Sequence, residues 1–132
     1  MLDKSATIGI AIVVGVALEL GVGLLTGRRE AWDSGAYWTV GLPFAAVAAL
    51  AIGCLSRRRN WFWAILIVPA QATTMMVKSG EVSGLWPLAM VFAAVLSLPF
   101  VAVAWIGARL SPWRVPEPPA TSRPADGSPP AA

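Results

Sequence analysis

One acid stands apart from every other charged residue in the chain. The sequence carries ten Lys and Arg and seven Asp and Glu, and all but Glu19 fall in connections, at the ends of apolar runs or in the tail. A carboxyl deep inside an apolar helix costs on the order of 2.5–3.5 kcal/mol on insertion scales, so it must face other helices rather than hydrocarbon. Ala11, Gly15, Glu19, Gly23 and Gly27 recur every fourth residue and share one helix face, which turns Glu19 inward. Two kinds of chemistry are open to such a group: binding a proton or a cation, and joining helices by hydrogen bonds. Gln71 lies at nearly the same calculated height in a second run, so the expected intramembrane polar pair is Glu19 with Gln71. Thr39, Thr73 and Thr74 are lesser partners. With no base counted at that depth, desolvation favours the neutral acid, which donates one hydrogen bond and accepts others.

Most other chemistry is excluded by what the chain lacks. It has no His and one Cys, which rules out disulfide frameworks, Cys/His zinc sites, haem on an axial His and any imidazole triad. No H-E-x-x-H, no G-x-S-x-G and no paired carboxylates on one face occur. No cofactor, metal or catalytic residue is therefore expected, and the chain reads as no enzyme. Glu30 and Asp33 sit beside Arg28 and Arg29 and are expected to make surface ion pairs. Cys54 reads as a small apolar residue. Nucleic-acid binding is not supported, because the basic residues are few and pinned to the ends of apolar runs.

The elements that must position Glu19 follow from the apolar runs. Only 13% of residues are charged and 57% are hydrophobic, about half the charge a water-soluble domain needs to coat itself. Charge-free stretches cover 34–56, 60–77 and 82–108, and a fourth, 5–27, is interrupted by Glu19 alone. About 20 apolar residues in a helix cross a ~30 Å hydrocarbon core. The reading is an all-α integral membrane four-helix bundle over residues 1–110, with spans at about 6–26, 35–55, 60–77 and 85–108. Continuous rather than alternating hydrophobicity favours helices over barrel strands. The segment 111–132 holds seven Pro and no aliphatic residue beyond Val115, so it reads as a disordered, Pro-rich cytoplasmic tail.

Orientation comes from Lys and Arg. Lys4, Arg57, Arg58, Arg59, Arg109, Arg114 and Arg123 fall on one side of a four-span chain, against Arg28, Arg29 and Lys78 on the other. That places both termini in the cytoplasm, and the Ala-, Gly- and Arg-rich composition with a single Asn suggests a bacterial inner membrane. Arg57, Arg58 and Arg59 serve topology and face anionic headgroups of the bilayer. Trp32, Trp38 and Trp86 fall near the outer ends and Trp61, Trp63, Trp105 and Trp113 near the inner ends, where indole anchors a helix.

Small residues suggest how the helices meet. Gly15 and Gly23 in the first span, and Gly41, Ala45, Ala49 and Gly53 in the second, form stripes along which backbones can approach closely. The first two spans are expected to pack together along them. The same stripes could serve a homo-oligomer or a membrane-protein partner. Pro69 and Pro99 lie inside their spans and should kink them, with Thr73 and Ser97 placed to re-satisfy nearby backbone.

Four short spans with one acid in the first are similar in outline to the small multidrug resistance transporters. Four and eight residues beyond the acid, where that family carries Thr and Lys, this chain has Gly23 and Gly27. In place of the family's Tyr/Trp/Gly signature, the third span carries Trp61-Phe62-Trp63 and Pro69. The likeness is confined to the outline and to Glu19. The expected function is that of an accessory, assembly or interaction component of the membrane, and the alternative is a proton-coupled small-solute or ion transporter using Glu19.

Overall fold

The computed structural model describes residues 2–27, 31, 34–56, 60–80 and 84–112. Among them the chain is helical, with no strand beyond one isolated bridge between Leu2 and Ser56. Arg57, Arg58 and Arg59, the outer-side Arg28 and Arg29, and the tail from residue 113 lie outside the described residues.

Helix α1 covers Lys4–Thr26. Asp3 starts it as N-cap, its carboxylate accepting from the Ala6 amide at 2.8 Å, which satisfies one of the donors a helix leaves free. Gly27 ends it at φ 64°, a left-handed cap that costs glycine nothing. A π-helical turn, Tyr37–Gly41, leads into α2, Leu42–Leu55. A 3-10 segment, Asn60–Leu66, leads into α3, Ile67–Ser79. The last apolar run is two helices, α4 (Trp86–Leu96) and α5 (Leu98–Leu110), broken at Ser97.

Proline accounts for the three irregularities. A proline cannot donate to the carbonyl four residues back. Pro43, Pro69 and Pro99 thus release the carbonyls of Thr39, Ile65 and Val95, which fall in the π turn, in the 3-10 segment and just before the break. At the break, the Ser97 amide is shared between the Ala93 and Ala94 carbonyls at 3.1 and 3.2 Å, and its hydroxyl donates to Ala93 at 2.8 Å. Thr73 donates to the Pro69 carbonyl at 2.8 Å. The break beside Pro99 follows the sequence reading, whereas the Ser97 and Thr73 hydroxyls meet the Ala93 and Pro69 carbonyls and not the released ones.

Three helices are long and apolar enough to cross a membrane: Lys4–Thr26, Tyr37–Leu55 and Trp86–Leu110. The segment expected at 60–77 is helical over Asn60–Ser79 but does not join those three, being 3-10 at first and carrying Gln71, Thr73, Thr74 and Lys78.

The helix pairing differs from expectation. α1 lies chiefly against α3 and its 3-10 extension, while α2 lies chiefly against α5. Gly15 sits so close to the α3 backbone at Ile67 and Gln71 that no Cβ fits there. Gly53 meets the Ala104 carbonyl in the same way, and Gly107 meets Leu50. Gly41 faces Val22 and Leu18, a looser contact between the first two spans. A small face records that some backbone approaches closely; it does not record whose. Gly15, Gly23, Gly41, Ala45, Ala49 and Gly53 are all buried within the chain.

Both ends of the bundle are recognisable. Leu2 donates to Leu55 at 2.8 Å, Thr7 meets Ser56 at 3.4 Å, and Ser111 donates to Cys54 at 2.8 Å. Lys4 lies 5.1 Å from the Trp63 ring, and Arg109 lies 4.8 Å from Trp105. The two described termini therefore share one end, with Lys4 and Arg109 each seated on an indole. The other end holds Gly27, Tyr37, Lys78 and Trp86, as the helix directions require. Trp32 and Trp113 lie outside the described residues.

Candidate functional site

Glu19 is fully buried, as its place on the small-residue face of α1 requires. Gly15 lies one turn earlier, pressed on α3, so the Glu19 side chain enters the seam between these two helices. α1 and α3 run parallel there: Lys4 sits by Trp63, Gly15 by Ile67 and Gln71, and Glu19 by Lys78.

Lys78 is the partner that sequence reasoning missed. Its ammonium Nζ donates to Glu19 Oε1 at 3.1 Å, an ion pair in which the acid is wholly buried and the lysine side chain is 30% exposed. Lys78 ends the polar face of α3 that includes Gln71, seven residues and two turns earlier. It was counted as outer connection because the charge-free run stops at Val77. α3 in fact continues to Ser79, and the lysine side chain is long enough for its ammonium to reach the carboxylate. The expectation that no base reaches the depth of Glu19 is thereby corrected. A clue was present: an acid of that cost needs an answer, and Lys78 shares the helix face of Gln71.

Gln71 is also buried, at 1% exposure, but it does not bond Glu19. The Tyr37 hydroxyl donates to Gln71 Oε1 at 3.3 Å instead. The Tyr37 phenol also lies within electrostatic reach of Glu19. The expected direct hydrogen bond between Glu19 and Gln71 is therefore replaced by two pairings, Glu19 with Lys78 and Gln71 with Tyr37. The lesser candidates do not reach the acid: Thr39, Thr73 and Thr74 donate to the carbonyls of Gly35, Pro69 and Ala70 on their own helices.

Tyr37 is placed by local structure. Ser34 accepts from the Tyr37 amide at 3.2 Å and donates to the Ala31 carbonyl at 2.8 Å, tying the start of this helix in place. The π-helical turn that follows adds a residue to the turn and rotates Tyr37 toward α3. Val22, Ala31 and Tyr37 pack as a small apolar group beside the tier.

Two polar atoms in this tier have no partner: Glu19 Oε2 and Gln71 Nε2, both sealed from solvent. One accepts and the other donates. Buried polar groups are paired in the great majority of cases, so two in one tier mark it as unusual. Among the described residues no group of three or more Cys, Asp or Glu could hold a metal ion. Arg57, Arg58 and Arg59, expected to set topology and meet headgroups, lie outside the described residues; the flanking Ser56 and Asn60 belong to the end that carries Lys4 and Arg109.

Compared with protein-family models, with curated proteins and with solved structures, the chain matches none.

Proposed function

We propose that the chain is a small four-span integral membrane protein that works by association, as an accessory or assembly component, and not as an enzyme. The observation that supports its placement in a membrane is α4. Of its eleven residues Ala93 alone is buried, while Trp86, Leu88, Val91, Phe92, Val95 and Leu96 are all at least half exposed. In water such a surface would be an aggregation liability, whereas in hydrocarbon it is the ordinary outside of a helix. Polar side chains also lie inside: Glu19, Gln71, Thr7 and Ser97 are buried. That distribution suits a bilayer.

The segment Asn60–Ser79 serves as the fourth span by length. Seven 3-10 residues rising about 2.0 Å each and thirteen α-helical residues rising about 1.5 Å each reach roughly 33 Å. Of its polar residues, Gln71 meets Tyr37 and Lys78 meets Glu19 of α1, while the exposed Thr73 donates to the Pro69 carbonyl of its own helix. The Lys and Arg balance favours both termini in the cytoplasm, and the Ala-, Gly- and Arg-rich composition with a single Asn favours a bacterial inner membrane.

A second reading is favoured by the unpartnered Glu19 Oε2 and Gln71 Nε2. It makes Glu19 the working carboxyl of a proton-coupled small-solute or ion transporter. Reconstitution separates the two. The associative reading expects no proton or solute flux from wild type or from Glu19→Gln. Flux in the wild type that Glu19→Gln abolishes, with helical content retained, overturns it in favour of transport.

A further inference from the structure

Glu19 has one oxygen answered by Lys78 and one, Oε2, answered by nothing. Gln71 has its oxygen answered by Tyr37 and its Nε2 answered by nothing. Both side chains are at least 99% buried, and the Tyr37 phenol bonds one of them and feels the charge of the other. An ionised carboxylate oxygen can only accept, and an amide N–H can only donate. Two such atoms left apart each lose the hydrogen bonds they made in water. A water molecule has the matching chemistry, donating to the carboxylate and accepting from the amide.

We propose that Glu19, Gln71 and Tyr37 form a binding site for one water molecule, and that through it Glu19 exchanges a proton with the end of the bundle that holds Lys78. The bridging water donates to Glu19 Oε2 and accepts from Gln71 Nε2, with the Tyr37 hydroxyl as its third neighbour. In the exchange, a hydronium reaching the site gives one proton: its O–H bond breaks, an O–H bond forms at Oε2, and a neutral water is left on Gln71. Lys78 keeps all three of its protons and loses the Glu19 charge as a partner; its side chain is 30% exposed. Lys78 from α3 and Tyr37 from the π-helical turn are the titratable side chains that face Glu19 among the described residues, and α2 adds no charged residue. Lys78 opposes proton uptake while it is paired. The site needs no net flux across the bilayer, so it stands or falls separately from the transport reading.

The test is infrared difference spectroscopy on the full chain in lipid vesicles, stepped in pH and repeated in D2O. Glu30, Glu81 and Glu117 are changed to Gln, and the chain is grown with glutamate carrying 13C at its side-chain carboxyl, which leaves Glu19 as the single labelled carboxylate. The proposal expects the labelled carboxylate band to convert to a protonated carboxyl band as pH falls, together with a change in a D2O-sensitive internal-water band. Lys78→Met should move that conversion to higher pH, and Gln71→Met should remove the water band while keeping helical content. A carboxylate that never protonates while the protein stays folded overturns the exchange. A water band indifferent to Gln71→Met overturns the water site. Should Gln71→Met fail to fold, Tyr37→Phe provides the second reading: the water band must shift, and an unchanged band contradicts the site.

Discussion

The bundle has two seams, and they are held together differently. At the α2–α5 seam, Gly53 meets the Ala104 carbonyl and Gly107 meets Leu50, and the chemistry is backbone against backbone. Its side-chain bonds are slight, a Cys54 thiol donating to the Gly107 carbonyl at 3.4 Å and a Ser111 hydroxyl donating to Cys54. At the α1–α3 seam, Gly15 makes an equally close approach, yet the same seam also buries Glu19 and Gln71. Where lipid replaces water, close backbone contact is sufficient to hold helices, as the first seam illustrates. The polar tier in the second seam therefore exceeds what packing requires, and this excess makes it the candidate for function.

The largest expected effect breaks the apolar seam. Gly53→Leu places a side chain where a carbonyl already sits, and the overpacking should cost about 3 kcal/mol. Unfolding of the purified protein in mixed micelles by added denaturing detergent would measure it. Next comes Lys78→Met, which leaves the buried Glu19 without its cation. A fully buried pair broken on one side loses about 3–5 kcal/mol; with Lys78 partly exposed and Glu19 able to take a proton, about 2 kcal/mol is expected. If Lys78→Met is as harmless as a surface change, the contrast between the seams is void.

Smaller effects sharpen the comparison. Tyr37→Phe removes the hydroxyl that answers Gln71 and should cost about 1 kcal/mol in the same assay. Gly9 and Gly15 lie on one helix, but a Cβ at Gly9 would meet nothing. Gly9→Ala should therefore stabilise by about 0.5 kcal/mol through helix propensity, while Gly15→Ala destabilises. Equal signs for the two would mean that α1 does not present Gly15 to α3.

The fold was largely legible because apolar run length is a physical requirement. The runs at 6–26, 35–55 and 85–108 correspond to α1, to the π turn with α2, and to α4 with α5. Pro69 and Pro99 marked where helical geometry would change, while the π turn before Pro43 was not foreseen. The pairing of helices was not legible, since Gly15 and Gly53 announce close approach without naming the neighbour. At the site, the burial of Glu19 and Gln71 followed from spacing, whereas their partners did not. Tyr37 depends on a π turn, and Lys78 depends on a long side chain folding back from beyond the charge-free run. Counting charges along a chain puts such a lysine outside the helix pack, although its ammonium reaches a carboxylate buried within it.

The account rests on Glu19 being answered within the chain by Lys78. A double-mutant cycle with Glu19→Gln, Lys78→Met and the two combined, read as unfolding free energy in one lipid or micelle system, tests that most directly. The account predicts a coupling of about 1 kcal/mol or more, with the double variant more stable than the sum of the single losses implies. Strictly additive losses would contradict it and remove the ion pair from the interior.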